Sequence, residues 1–147
     1  MAKTGEIKIR PMEPEDISAL LEIDHKISGE RRAVTYADLI TGDLGGDLDL
    51  SFVAEAGGQV AGFILARRAY IGEPVAEVGL IQILGVDPGH QGQGIATRLV
   101  NATLERCQAT GLKLVRISVR ESDSQLQGFF THVGFRRGQH VDYIKTL

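Results

Sequence analysis

Leu84-Gly85-Val86-Asp87-Pro88-Gly89-His90-Gln91-Gly92-Gln93-Gly94-Ile95-Ala96-Thr97 is the stretch on which the fold turns. An apolar, strand-like run ends at Val86, and Asp87-Pro88-Gly89 then forces a turn. Gln91-Gly92-Gln93-Gly94 leads straight into a helix-forming segment, Ile95 to Thr110. Glycine lets backbone N–H groups face open space with no side chain in the way. The first turn of a helix leaves about four such groups unpaired, with the positive end of the helix dipole behind them. Strand, glycine turn and helix start together make a cradle for a phosphorylated ligand.

The surrounding chain bounds what that ligand serves. With 147 residues the sequence fits a single domain, 1–147, large enough for its own core. A net charge of -3 lacks the basic balance of a nucleic-acid binder. No apolar run approaches the roughly 18 residues that span a bilayer. The start, Met1-Ala2-Lys3-Thr4-Gly5-Glu6, has no apolar signal-peptide core. One cysteine, Cys107, forbids an internal disulfide and falls at helical spacing from Val100 and Leu104. The expectation is a cytoplasmic protein with no nucleic-acid or membrane partner. His25, His90, His132 and His140 lack metal-ligand spacing, so no metal is expected.

Working outward from the turn, Glu6 to Arg10 alternates around Ile7 and Ile9 as a short strand. Pro14-Glu15-Asp16 has the proline and acids of a helix start, and Ile17, Leu20, Leu21 and Asp24 follow at helical spacing. A second helix is expected over Tyr36 to Ile40 and a glycine-rich acidic loop over Asp43 to Asp49. That loop is not a calcium site, because its twelfth position is Ala54 rather than glutamate. Ser51 to Ala56 and Gln59 to Arg67 read as a hairpin joined by Gly57-Gly58. Glu77 to Val86 is the next strand. Beyond the long helix come a strand, Lys113 to Val119, a helix, Ser124 to Val133, stopped by Gly134, and a last strand, Val141 to Leu147. The order β-α-α-β-β-β-α-β-α-β predicts an α+β fold: hairpins first, one βαβ crossover later, about four helices around a mixed sheet.

Three phosphate readings meet at the turn. A P-loop requires Gly-Lys-Ser/Thr, which does not occur. A Rossmann site requires G-x-G-x-x-G, and here Thr97 stands where the third glycine belongs. Glu121, ending the following strand, stands where a ribose-binding acid would sit, yet hairpins precede the turn and little chain follows. A purely structural turn is a further alternative. The third ligand reading rests on resemblance. Leu84-x-Val86-x-Pro88-x-x-Gln91-Gly92-x-Gly94-x-Ala96 closely resembles the acyl-CoA signature of the GNAT N-acetyltransferase superfamily, Q/R-x-x-G-x-G/A. Asp123 to Phe135 is similar to that family's later N-x-x-A-x-x-L-Y-x-x-x-G-F helix, matching at Phe129, Gly134 and Phe135.

The resemblance implies a GNAT-like, largely antiparallel sheet with splayed strands and acetyl-CoA as cosubstrate. It implies that the amides of Gln91, Gly92, Gln93, Gly94, Ile95, Ala96 and Thr97 bind the coenzyme A pyrophosphate. The pantetheine arm would lie along Leu84, Gly85 and Val86 like an added strand, on a strand that holds a bulge and diverges from its neighbour. Gly85 fits a bulge or a close backbone approach. The Val86 amide would donate to the thioester carbonyl and act as oxyanion hole. An ammonium acceptor of pKa near 10 must lose a proton before attack. Glu77, which enters the strand carrying Val86, is the candidate base, against the alternative of a solvated strand-end charge. The family's general-acid tyrosine falls on Phe130, a cofactor-contacting position with no proton to give; Asp123 and Leu126 replace the usual asparagine and alanine. Tyr143 or Tyr70 would have to substitute. Gly29-Glu30-Arg31-Arg32 lies where the family builds its acceptor pocket.

The implied function is acetyl transfer to a primary amine — a protein N-terminus, a lysine or a small amine — by direct attack in a ternary complex. The alternative is a non-catalytic acyl-CoA-binding module, favoured by Phe130. A homodimer would cover a sheet edge that the short chain after Phe135 leaves exposed.

Overall fold

Residues 6–29 and 48–147 are described by a computed structural model of the chain. Five strands form one sheet in the order β1-β2-β3-β4-β5: β1 Ile7–Pro11, β2 Phe52–Ala56, β3 Gln59–Ile71, β4 Ala76–Val86 and β5 Val115–Ile117. The first three pairings are antiparallel and β4 with β5 is parallel. The described α-helices are α1 (Ile17–Ser28), α2 (Ile95–Ala109) and α3 (Ser124–His132). The second helix expected over Tyr36 to Ile40, and Asp43 to Asp47 of the acidic loop, lie outside the described residues. So do Glu30, Arg31 and Arg32. The sequence-based boundaries elsewhere differ from these by a few residues, with β5 the most shortened.

Local chemistry accounts for the elements. Gly57 and Gly58 both have positive φ, 60° and 82°, which a tight hairpin turn requires and only glycine adopts freely. A one-turn 3-10 helix, Pro14–Asp16, leads into α1; Asp16 reaches back to the Glu13 amide at 2.8 Å. The same carboxylate takes two bonds from Arg10, at 2.8 and 3.0 Å, and Arg10 holds Glu55 at 2.7 Å. Burial pushes the Asp16 carboxyl up, but Arg10 and the Glu13 amide more than offset it and hold it low. Two part-buried ion pairs on Arg10 thus tie β1 to the start of α1 and to β2.

Alternation along the strands sorts the core into two layers. Val53, Phe63 and Leu65 pack with Met12, Leu20 and Ile23 beneath α1. Phe52, Ala54, Ile64, Ala66 and Ile81 face the other way, against Ile95, Leu99, Val100 and Cys107 of α2 and Phe130 of α3. The α2 backbone comes so close to β4 that a Cβ at Gly79 would sit 2.7 Å from the Cys107 sulfur. Burial raises the Cys107 thiol, so it stays protonated and inert, as the core reading of its spacing expects.

One element departs from the sequence reading. Val141 to Leu147 forms no strand, and Val141, Tyr143, Ile144 and Leu147 are 76, 93, 92 and 108% exposed. Val141, Tyr143 and Leu147 alternate onto one face, which Lys145 interrupts, and among the described residues no strand pairs with the segment.

Candidate active site: a strand that opens into a glycine turn

The middle of β4 changes phase. β3 pairs Leu65 with Ile83 and Ala66 with Ile81, which leaves Gln82 as an extra residue on β4. Before this bulge, Gly79 donates its amide to Leu114 beside β5, at 2.9 Å. After it, Asp87 donates to Ala61 of β3, at 2.8 Å. In a regular strand two amides eight residues apart would face the same neighbour. The bulge reverses them, so the amides of Leu84 and Val86 point away from β3.

That direction is open. Pairing between β4 and β5 covers only Gly79, Ile81 and the residue between them, matched to Val115 through Ile117. Among the described residues no strand continues on that side beyond Ile117, and β4 runs on beside β3 alone. The splaying implied by the resemblance is therefore present. Its cause is the bulge at Gln82, not one at Gly85. Gly85 serves the other role the sequence allowed: a Cβ there would meet the Phe63 ring at 2.8 Å and Ile27 at 3.2 Å.

The gap leads into the glycine turn. Asp87 accepts the Gly89 amide at 2.9 Å and meets Lys26 of α1 at 3.4 Å. The Gly89 bond, and after it Lys26, hold its carboxyl below the ordinary range against a smaller opposing effect of burial. Pro88–His90 makes one 3-10 turn. Gly92 and Gly94 then take positive φ, 83° and 77°, with nothing within 4 Å of where a Cβ would stand. Gly94 is the N-cap of α2 and offers no side chain to its first turn. Among the described residues, none of the amides from Gly94 to Thr97 donates to another backbone group or side chain. Four consecutive N–H groups at the positive end of a 15-residue helix are thus free for an anion. Free amides and open space over the glycines fit a pyrophosphate, and unpaired Leu84 and Val86 amides fit an amide-bearing arm.

The proposed chemical groups are less well gathered. Glu77 is exposed and pairs with Tyr70 at the far end of β4. Nine residues of extended strand put it roughly 30 Å from Val86. Phe130 is 4% exposed within the core, edge-on to Phe129 and Phe135 at 5.0 and 5.1 Å. Asp123 caps α3 by accepting the Leu126 amide at 3.0 Å. Tyr143 and Tyr70 both stand exposed, and Tyr143 belongs to no strand. The structure places Leu84, Gly85 and Val86 and the turn from Gln91 to Thr97 along one stretch, with Phe130 in the core and Glu77 and Tyr143 apart from that stretch. Gln82, which sequence reading did not single out, produces the gap; its only signal is a lone polar residue inside Leu80-Ile81-Gln82-Ile83-Leu84. Among the described residues no group of three or more His, Cys, Asp or Glu could hold a metal ion. No described helix is long and apolar enough to cross a membrane.

Comparison with known proteins gives the family and the fold. Residues 16–135 match the acetyltransferase (GNAT) family. A mycothiol acetyltransferase from Beutenbergia cavernae is 32% identical over 108 residues, covering 72% of this chain. The match takes in 35% of that relative, so the chain spans about a third of its length. Among solved structures, the aminoglycoside N-acetyltransferase AAC(6')-Iy in complex with CoA superposes with a TM-score of 0.81 at 17% identity. The superposition covers 99% of this chain and 98% of that one. Arabidopsis thaliana Naa50, bound to the bisubstrate analogue CoA-Ac-MVNAL, gives 0.70 at 20% identity over 90% of this chain and 85% of its own.

Proposed function

The chain belongs to the acetyltransferase (GNAT) family, and from that premise we propose that it moves an acetyl group from acetyl-CoA to a primary amine by direct attack. The observation that carries this reading is the phase reversal at Gln82, which turns two β4 amides into a gap that ends at the free amides of a helix start. The turn holds the pyrophosphate. An arm leaving it meets the Val86 amide first and the Leu84 amide about 7 Å further on, one ladder repeat away. Both donate to the arm, and the one beside the thioester carbonyl polarises it and takes the developing oxyanion charge. Amine nitrogen forms the new bond to the carbonyl carbon, the carbon–sulfur bond breaks, and the sulfur leaves as thiolate. The mycothiol acetyltransferase relative, the aminoglycoside enzyme and the peptide-analogue complex support an amine acceptor.

Proton handling sets this chain apart. From Val78 to Val86 β4 carries no titratable side chain. Glu77 is too distant and Phe130 has no proton. We therefore assign deprotonation of the ammonium to solvent in equilibrium and departure of the thiolate to its own acidity. A thiol of pKa about 8.5 leaves tolerably without an acid. A second reading, a non-catalytic acyl-CoA-binding module, draws on the same Phe130. A thiol-release assay with acetyl-CoA and a broad panel of amines and peptides separates them. Release with at least one acceptor is the expected result. Tight coenzyme A binding with no release across the panel would leave only the binding module, and heat protection by NAD but not coenzyme A would overturn both.

A further inference from the structure

The short ladder between β4 and β5 leaves β4 uncovered at its start as well as at its end. Its first bond is the Gly79 amide to Leu114, at 2.9 Å. Glu77 lies two residues earlier, and the pairing with β3 runs unbroken from Gly79 through Val78 to Glu77. With no bulge between them, the Glu77 amide and carbonyl face the same way as those of Gly79, away from β3. Among the described residues neither group has a bonding partner on that side. A cavity of about 290 Å³ lies there, between the start of β4 and the turn that leads into β5. Arg116 of β5 lines it, with its guanidinium 3.5 Å from the His140 ring and 3.4 Å from where a Cβ on Gly72 would stand. Lys113 and Glu73 line it too. None of Glu73, Lys113 and Arg116 forms an ion pair with another described residue. Val78, Leu112 and Leu114 supply an apolar wall.

We propose that this cavity binds a free α-amino acid of leucine's size, as its zwitterion. Unpaired charges of both signs around one small cavity call for a ligand that carries both signs. A simple anion would face Glu73, and a simple cation would face Arg116 and Lys113. The backbone narrows the ligand further. A strand residue with a free N–H and a free C=O asks its neighbour for one acceptor and one donor, close together. An α-amino acid presents that pair on a single carbon. Its carboxylate takes the Glu77 amide and the Arg116 guanidinium, the group best shaped to hold a carboxylate, with Lys113 beside it. Its ammonium donates to the Glu77 carbonyl and to the Glu73 carboxylate. An aliphatic side chain then meets Val78, Leu112 and Leu114. The volume stands at the lower end of ligand pockets, which suits one small molecule. Val86 lies roughly 30 Å away along β4, so the amino acid does not displace coenzyme A. The site is independent of the acetyl-transfer reading.

Calorimetric titration of the full chain with leucine tests it, beside leucinamide, which lacks the carboxylate, and 4-methylpentanoate, which lacks the amine. Leucine should bind saturably, and each analogue at least about tenfold more weakly. Arg116→Gln and Glu73→Gln should each weaken leucine by about tenfold or more, the scale of a lost charge-assisted bond. Far-UV circular dichroism serves as the folding control. Glu73 is exposed at the β3–β4 hairpin tip, so its variant carries the test even if Arg116→Gln fails to fold. In amide spectra leucine should shift Glu77 and leave Val86 in place, with or without coenzyme A. No saturable leucine binding would overturn the proposal. So would analogues that bind as well as leucine, which would mark a merely apolar hollow. Affinity indifferent to the folded variants, or shifts at Val86 in place of Glu77, would overturn it equally.

Discussion

The two halves of β4 are built from nearly the same residues and do opposite things. Gly79 to Ile81 lies between β3 and β5, with Ile81 2% exposed. Ile83 to Val86 has only β3 beside it. Both halves are apolar, and each contains a glycine, Gly79 and Gly85, pressed against a neighbouring side chain. Composition does not distinguish them. A single extra residue does, because it decides which way the next amides point. The first half spends its backbone groups on the fold, and the second keeps two amides in reserve for a ligand.

Proline exploits that difference most sharply, since it removes one N–H and little else where the N–H was unpaired. Leu84→Pro and Val86→Pro should melt near the parent temperature yet lose on the order of 100-fold or more in turnover, the scale of a lost oxyanion donor. Gly79→Pro removes the bond to Leu114 and should instead prevent stable folding. Equal damage from all three, read by thermal melting and thiol release, would break the comparison.

Glycine replacements give the next largest effect. Gly79→Ala drives a Cβ to 2.7 Å from the Cys107 sulfur and should cost about 1–3 kcal/mol in denaturant unfolding. Turnover of the folded enzyme should be unchanged. Gly92→Ala has open space around it but a φ of 83°, so strain of roughly 1–2 kcal/mol should appear mainly as weaker coenzyme A binding by calorimetry.

Acid–base behaviour sharpens the same contrast between the ends of β4. With no titratable side chain between Val78 and Val86, kcat/KM should rise tenfold per pH unit until it passes the acceptor's own pKa. Glu77→Ala should leave that slope and the turnover within about twofold, because its carboxylate sits roughly 30 Å along the strand from Val86. A slope that breaks near pH 5 and vanishes in Glu77→Ala would restore Glu77 as the base. A smaller effect attends Asp87, whose carboxyl is held low by the Gly89 amide and by Lys26. A lowered folded pKa contributes stability above the unfolded value, near 3.9, and loses it as pH falls through the folded one. The melting temperature of Asp87→Ala should trail the parent at neutral pH and converge with it at about pH 3 and below.

Much of this layout was legible in the sequence, for identifiable reasons. Gly57-Gly58 sits between two apolar runs and can only be a tight turn, so β2 and β3 follow. Gln91-Gly92-Gln93-Gly94 before Ile95 marks a helix start with bare amides, and the resemblance adds what binds there. The bulge at Gln82 was barely legible, because in Val78-Gly79-Leu80-Ile81-Gln82-Ile83-Leu84 nearly every other residue is apolar and the change of phase leaves only that one polar residue as its mark. Glu77 was a natural candidate because strand membership is visible in sequence, whereas distance along a strand must be counted. Val141 to Leu147 has the residue types of a strand, with Val141, Tyr143 and Leu147 on one face, but types alone do not supply a partner edge.

The central claim is that the gap opened at Gln82 is the acyl-CoA site. Backbone amide chemical shifts during titration with coenzyme A test it most directly. Leu84, Val86 and the amides from Gln91 to Thr97 should shift and become protected from exchange, while Gly79 and Ile81 stay unchanged. Saturable binding that leaves Leu84 and Val86 unmoved, or that perturbs the Glu77 end of β4 instead, would contradict it.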